Sequence, residues 1–460
     1  MNIDKYEVIY FLGIGGIGMS ALARYFNSRG AMVMGYDRTS TPLTTELEME
    51  GIAVHFDDNT LEIPNAVRLT DKAKVLVVYT PAIPKDSSEL NWFLEQEYTM
   101  MKRSQVLGMI TENTRTIAVA GTHGKTTTSS MVAHMLTHSG VGCNAFLGGI
   151  TTNYHSNLLL APHSDLTVVE ADEYDRSFLT LTPSYSIITS MDADHLDIYG
   201  SHNDMLESFN LFAQKLKKGG TLVYREGLPL NKEQLDATIH AHNYTLTQTA
   251  DYRGRDIEIE DGRYYFTFQS PEYKWEKIEL GLPGSHNVEN AVAAIAICLE
   301  LGLSEEQIRA SLRDFKGVKR RFEYYIRRSD LVLIDDYAHH PAEIRACLGS
   351  VKELYPESHI TGVFQPHLFS RTRDFADEFA RSLEVLDDIL LLPIYPAREL
   401  PMPGIDSQML LDKITKPSKK LIQKSELLAE LRSKPRQVIV MLGAGDIDAL
   451  VSPVAVAFSE

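Results

Sequence analysis

Cysteine is scarce: Cys143, Cys298 and Cys347 are the only three in 460 residues, widely spaced and without a CxxC pair. Neither a disulfide framework nor a cysteine-built zinc site is indicated. Basic charge is also in deficit. Forty-five Lys and Arg stand against 62 Asp and Glu, a formal net charge of −17. So acidic a surface argues against nucleic acid or anionic membrane as a general partner, while leaving room for a local basic pocket. Long apolar runs are missing too. The longest, Ala291–Leu299, falls far short of the roughly 20 residues of a membrane span. The opening MNIDKYEVIYFLGIGG carries Asp4 and enters a strand pattern at once, unlike a secretion signal. No low-complexity tract or short repeat is present. What remains is 44% hydrophobic and 23% charged, the composition of an ordinary folded protein, at a length that suggests about three domains. The expectation is a cytoplasmic multidomain protein with no nucleic-acid partner and no membrane insertion.

One form recurs three times: an apolar strand, a turn rich in glycine or histidine, then a helix. Val8–Leu12 leads through glycines into Ser20–Ser28; Thr116–Ala120 leads through GTHGKTTT into Ser129–Thr137; Leu331–Ile334 leads through DDYAHHP into Ala342–Cys347. Further strand patterns occur at 74–78, 166–170, 186–189, 359–364, 389–392 and 437–442. Strands alternating with helices predict parallel α/β sheets, which bind ligands outside the carboxyl ends of their strands. All three turns lie at such ends, so three α/β domains around a shared cleft are expected. The segment 252–279, rich in aromatic and β-forming residues, reads as an antiparallel meander.

The turns carry the chemistry. Gly13-Ile-Gly15-Gly16-Ile17-Gly18 is a GxGxxG between strand and helix, where close backbone approach and free N–H groups suit a phosphate. Asp37, after the next strand, stands where a dinucleotide fold places its ribose-binding acid. The pattern does not distinguish NAD from another diphosphate. Gly121-Thr122-His123-Gly124-Lys125-Thr126-Thr127 resembles a P-loop, although Val119 stands where the general pattern has glycine. Its amides would cradle phosphates, Lys125 would neutralise the β/γ oxygens and the Thr126 hydroxyl would ligate magnesium. This predicts ATP or GTP binding.

Glu170, first in EADEYD at a strand end, is the preferred second magnesium ligand. His195 in DADHLD reads either as a ligand or as a capping or core histidine, because imidazole suits magnesium less than oxygen does. Asn287 and Asn290, three apart on one helix face, would read a purine edge or cap the helix. Arg321, Asp336, His339, Arg371 and Arg373 fall in clusters that favour an anionic ligand or a developing oxyanion. Surface ion pairing with neighbours such as Glu343 and Asp374 is the alternative.

Together the strings FLGIGGIGMSALA, AGTHGKTTT, EADEYDRSFL, DADHLDIYG, GSHNVENAVAA, RRFE, DDYAHHP, FQPHLFSRTRDF and LGAGDI, in order along essentially the whole chain, resemble the Mur ligase family. The resemblance implies a three-domain Mur ligase architecture. A Rossmann-like domain over 1–108 would bind the UDP-sugar, a central P-loop ATPase α/β domain would span 109–320, and a Rossmann-like α/β domain over 321–460 would admit the amino acid. It implies an ATP- and Mg2+-dependent ligase joining L-alanine to the lactyl carboxylate of UDP-N-acetylmuramate through an acyl phosphate, as a monomer or homodimer. Gly13, Gly15, Gly16, Ile17, Gly18, Met19, Ser20 and Asp37 would then serve the UDP-sugar rather than NAD. Residues 121–127 would serve ATP, with Asn287 and Asn290 at adenine and Arg321 and Asp336 near phosphate and ribose. Thr126, Glu170 and His195 become metal ligands. His339, Arg371 and Arg373 would face the alanine and the reacting acyl group, with His339 as base.

Two departures stand out. The metal-bridging carbamylated lysine of related Mur ligases cannot operate at its usual place, since Leu196–Gln214 contains no lysine, and Leu368 stands where many relatives carry arginine. The competing readings are a family member that joins a preformed tripeptide to the same acceptor, and a nucleotide switch that forms no bond. The intact GIGGIGMSALA and the FQPH…SRTRDF string favour the alanine ligase.

Overall fold

The computed structural model describes residues 3–459 apart from 195, 248, 261 and 398. Its strands are β1 (Val8–Leu12), β2 (Met32–Tyr36), β3 (Ala53–His55), β4 (Val75–Tyr79), β5 (Thr99–Lys102), β6 (Arg115–Ala120), β7 (Asn144–Thr151), β8 (Ser156–Leu159), β9 (Leu166–Glu170), β10 (Tyr185–Ile188) and β11 (Thr221–Arg225). They continue as β12 (His240–Thr245), β13 (Tyr252–Glu260), β14 (Arg263–Gln269), β15 (Lys274–Leu280), β16 (Glu323–Arg327), β17 (Val332–Asp336), β18 (Ile360–Phe364), β19 (Asp388–Leu391), β20 (Lys419–Leu421) and β21 (Val438–Leu442). They form three sheets, in the orders β3-β2-β1-β4-β5, β15-β14-β13-β12-β11-β10-β6-β9-β7-β8 and β16-β17-β21-β18-β19-β20. The three α/β sheets expected from the alternating pattern are therefore present.

Continuous apolar runs such as VIYFL in β1 and VIVML in β21 are buried along their whole length, as central parallel strands covered on both faces must be. The first sheet is parallel throughout. Antiparallel pairing enters at the hairpin of β7 and β8 and at the edge pair β16 and β17. The hairpin escapes the sequence pattern because its run, NAFLGGIT, is interrupted by two glycines. The segment expected to be a meander is three consecutive, neighbouring strands, β13 to β15.

Two compact units divide the chain. One comprises Met1–Arg255, Phe268–Trp275 and Asn290–Leu312; the other comprises Asp256–Thr267, Glu276–Glu289 and Arg313–Glu460. Within the first unit, residues of the first and second sheets share one hydrophobic core that runs from Tyr6 to Tyr224. Within the second, the two faces of its sheet have separate cores, one around Phe364 and Phe379 and the other around Leu392 and Met441. Among the described residues no helix is long and apolar enough to cross a membrane.

Candidate functional site

The phosphate loop follows β6. Gly121 and Gly124 hold φ of 141° and 81°, backbone that side chains disfavour. A Cβ on Gly121 would collide with the Thr189 hydroxyl and stand 2.9 Å from the Ser190 nitrogen, and one on Gly124 would stand 2.8 Å from Asn290 Oδ1. Gly124 caps the helix Lys125–His138, whose first amides receive no side-chain cap. Such a turn is shaped for phosphate oxygens.

The loop is held from the end of β10, which pairs in parallel with β6. The Thr122 and Ser190 hydroxyls share a hydrogen bond of 2.9 Å, and the His123 N–H donates to Ser190 Oγ at 2.8 Å. Thr189 donates to the His123 and Ala120 carbonyls. The Asp192 N–H donates to Thr122 Oγ1 at 3.1 Å, and the His123 imidazole faces Asp192 at 3.5 Å. Thr189 and Ser190 were not singled out from the sequence. A Thr-Ser pair closing the strand beside the phosphate loop was the available signal.

Lys125 Nζ donates to the Gly121 carbonyl at 2.6 Å and to Glu173 Oε1 at 2.9 Å. Burial alone would lower its pKa, but the charges of Glu173, Asp172 and Glu170 outweigh it and hold the ammonium above its ordinary value. The lysine therefore stays charged, as neutralising phosphate requires. Glu173, 1% exposed, is the acid of EADEYD that positions Lys125; Tyr199 donates to its carbonyl at 2.6 Å. Glu170 ends β9, opposite Val119 of β6, and its Oε2 accepts the Gly148 N–H at 3.1 Å. The Thr126 hydroxyl on the helix and the Glu170 carboxylate on the neighbouring strand are hard oxygen donors flanking Lys125, the donor type magnesium takes alongside substrate phosphates. Among the described residues no three His, Cys, Asp or Glu side chains converge as a metal site. His195, the third expected ligand, lies outside the described residues. Thr127 is buried behind the loop.

The first glycine loop follows β1. The Gly13 and Ile14 amides donate to the Tyr36 carbonyl at 2.8 and 3.0 Å. Gly16 caps the helix Ile17–Ser28 without a side-chain cap. Asp37 is fastened to this loop: Oδ2 accepts the Gly15 N–H at 2.8 Å and Oδ1 the Thr39 N–H at 3.2 Å. The acid expected to reach a ribose thus also braces the loop. Met19 and Ser20 lie beneath the turn, 1% and 0% exposed. Asn157 of β8 donates to the Ile17 carbonyl and to Ser20 Oγ, and accepts from Arg24 Nη1 at 3.1 Å. The second sheet thereby grips the helix that carries the first glycine loop.

The two asparagines part company. Asn290 approaches Gly124, whereas Asn287 Nδ2 donates at 2.5 Å to the Pro283 carbonyl at the start of its own helix, Ser285–Glu300. In the second unit Asp336 ends β17 and accepts the Phe322 and Ala338 amides, both at 2.8 Å. Burial pushes its carboxyl up to about 6. The Arg321 guanidinium lies 5.7 Å from the Tyr337 ring and, after burial, is the second cause holding His286 down at about 4. His339 Nδ1 lies 3.1 Å from the Tyr337 carbonyl and 3.3 Å from Glu343, with the His367 ring 5.9 Å away. Arg371 is 9% exposed, whereas Arg373 is exposed and paired with Asp374 at 2.7 Å. Glu343 and Asp374, the partners expected of plain ion pairing, are indeed used. Leu368 holds a positive φ of 69°, uncommon for a residue with a side chain.

Three family models match the chain: "Mur ligase family, catalytic domain" over 8–115, "Mur ligase middle domain" over 119–298 and "Mur ligase, glutamate ligase domain" over 320–447. The UDP-N-acetylmuramate–L-alanine ligase of Parabacteroides distasonis is 49% identical over 454 residues, covering 99% of this chain and 98% of that protein. The same-named ligase of Porphyromonas gingivalis is 52% identical over 448 residues, covering 97% and 98%. Among solved structures, the UDP-N-acetylmuramate–alanine ligase of Thermotoga maritima superposes with a TM-score of 0.82 at 27% identity, covering 98% of this chain and 99% of that one. A murein peptide ligase of Psychrobacter arcticus shares the fold, with a TM-score of 0.69 at 21% identity over 99% of both chains. From its first strand to its last, the chain belongs to the Mur ligase family.

Proposed function

We infer that this protein forms the amide between L-alanine and the lactyl carboxylate of UDP-N-acetylmuramate, driven by ATP, in peptidoglycan synthesis. The observation that carries this is identity near one half, over almost the full length of both partners, to ligases named for that reaction. The murein peptide ligase of Psychrobacter arcticus is less similar than the alanine ligase of Thermotoga maritima in both sequence and fold.

The residues are assigned as follows. The loop Gly13–Ser20, braced by Asp37, takes the UDP-sugar diphosphate on its amides. The loop Gly121–Thr127 takes the ATP phosphates, with Lys125 neutralising oxygens of the transferring group. Asn290 beside the loop, with Asn287, lies on the adenine side, and Arg321 and Asp336 serve phosphate and ribose. Thr126 and Glu170 would hold Mg2+, with His195 the third ligand. The ion supplies charge neutralisation on the phosphoryl group.

The lactyl carboxylate attacks the γ-phosphorus and ADP leaves, giving an acyl phosphate. The amine of alanine then attacks the acyl carbon, phosphate departs and the amine proton is lost. His339, its ring oriented by the Tyr337 carbonyl and Glu343, is the base that takes that proton. Arg371 and Arg373 stabilise charge on the acyl phosphate and the alanine carboxylate. The enzyme acts in the cytoplasm, as a monomer or homodimer.

The test is phosphate release with ATP, Mg2+ and UDP-N-acetylmuramate, adding L-alanine or the stem tripeptide in parallel. Release with alanine, with a product heavier by one alanyl residue, is expected. Release with the tripeptide alone would reassign the acceptor; release with neither would leave a nucleotide switch.

A further inference from the structure

Arg103 opens the helix Arg103–Glu112 directly after β5, at the carboxyl end of the first sheet. Its guanidinium lies over Gly18, in the first turn of the helix Ile17–Ser28. A Cβ there would stand 2.8 Å from Nη1 and 3.2 Å from Cδ. On its other side Nη2 faces Asp172 Oδ2 at 3.7 Å, an ion pair too long for a hydrogen bond. Asp172 in turn ranks second only to Glu173 among the charges raising Lys125. One arginine thus stands between the glycine loop and the acids behind the phosphate loop.

The helix is seated so that this placement is reproducible. Gly108 packs on the segment after Asp172 so closely that a Cβ would stand 2.6 Å from the Thr180 carbonyl oxygen. The Thr180 hydroxyl donates to the Ser104 carbonyl at 2.9 Å. The Arg103 side chain itself is 28% exposed, and a partly exposed pair at that distance holds it weakly.

We propose that Arg103 is a binding residue for the sugar nucleotide: it exchanges Asp172 for an anionic group of the UDP-N-acetylmuramate, diphosphate or lactyl carboxylate, laid over Gly18. The inference rests on reading Gly13–Ser20 as the sugar-nucleotide loop. A guanidinium is suited to the task because its paired N–H groups match two oxygens of one phosphate or carboxylate, which a lysine ammonium does not. The weak pair with Asp172 makes the exchange inexpensive and keeps the side chain near its target before the ligand arrives.

The test uses the full-length enzyme and its Arg103→Ala and Arg103→Lys variants. Calorimetry with UDP-N-acetylmuramate, UDP-N-acetylglucosamine and UDP is combined with steady-state kinetics. Loss of a charge-assisted contact predicts UDP-N-acetylmuramate binding weaker by roughly 10- to 100-fold in Arg103→Ala, a smaller loss in Arg103→Lys and an unchanged KM for ATP. Equal losses for all three ligands place the guanidinium on the diphosphate. A loss confined to UDP-N-acetylmuramate places it on the lactyl carboxylate. Wild-type affinity in Arg103→Ala overturns the proposal, as does a parallel loss for ATP, which would mean damage to the fold. Should Arg103→Ala fail to fold, Arg103→Gln takes its place, and wild-type affinity there overturns the proposal equally. A wild-type enzyme that binds no UDP-N-acetylmuramate is a different result and overturns the assignment of the glycine loop itself.

Discussion

Gly148 on β7 touches the metal-binding assignment without belonging to it. Its N–H donates to Glu170 Oε2, and a Cβ in its place would collide with that same Oε2 and stand 2.6 Å from Glu170 Cδ and Oε1. Ordinary contact begins near 3.4 Å, so Gly148→Ala must push the carboxylate by about 1 Å, and a shift of that size at reacting geometry costs on the order of 100-fold in rate. Glu170 is only partly buried at a strand end and has room to yield, so stability is expected to fall by about 1 kcal/mol or less. The assay is steady-state phosphate release over a Mg2+ titration, with thermal unfolding alongside. Expected are a kcat about 100-fold down, a raised Mg2+ requirement and a near-native Tm. Gly349→Ala, inside the helix Pro341–Leu354 with nothing near its Cβ, is the matched control. It is expected to keep kcat and to gain roughly 0.5–1 kcal/mol. A Gly148→Ala enzyme with kcat and Mg2+ dependence within about threefold of wild type, too small an effect for a displaced ligand, would refute the role given to Glu170.

Glu173→Gln leaves the Lys125 ammonium without its principal counter-charge, so its pKa falls and the alkaline limb of the pH–rate profile moves to lower pH; superimposable limbs would contradict the pairing. Asp388 gathers Lys434 at 2.7 Å, His359 at 2.8 Å and Arg436 at 2.5 Å. Burial would raise its pKa, but these partners and Ser418 hold it below the usual range. Asp388→Asn leaves the buried Arg436 to the more distant Glu430 carboxylate at 4.0 Å, at a cost of about 3 kcal/mol, with the activity of folded enzyme retained; denaturant unfolding measures it, and a loss under about 1 kcal/mol would show the cluster to be peripheral. Asp335, buried and 3.4 Å from Arg320, is pushed up to about 7 by burial, which Arg320 only partly offsets. A folded pKa above the unfolded value of about 3.9 means that the native state binds the extra proton, so this group erodes stability as pH rises from about 4 to 7. Asp335→Asn is therefore expected to flatten the loss of stability between about pH 4 and 7, and an unchanged slope would count against the shift.

The sequence by itself determined the chemistry of the turns. Strand, glycine turn and helix are written in neighbouring residues, so VIYFL-GIGG and TIAVA-GTHGKT announce their loops and phosphate chemistry before any packing is known. The edge hairpin stayed hidden because β7 and β8 carry no clean alternation, and β7 takes its place from β9 beside it. Tertiary structure alone decided which groups meet. Asp37 stands where a ribose acid would, and its bond to the Gly15 N–H was visible only in the fold. Asn287 and Asn290 looked like one pair, yet one ties its own helix and the other approaches Gly124. Glu173 was one acid among four until Lys125 was found on it. Arg103 carried no signal, because its meaning lies in Gly18, 85 residues earlier, and Asp172, 69 residues later. Backbone geometry is fixed by steric and hydrogen-bonding preferences that act over a few residues. The partner of a charged side chain is fixed by how helices and sheets dock to bury apolar area, and that leaves no local trace.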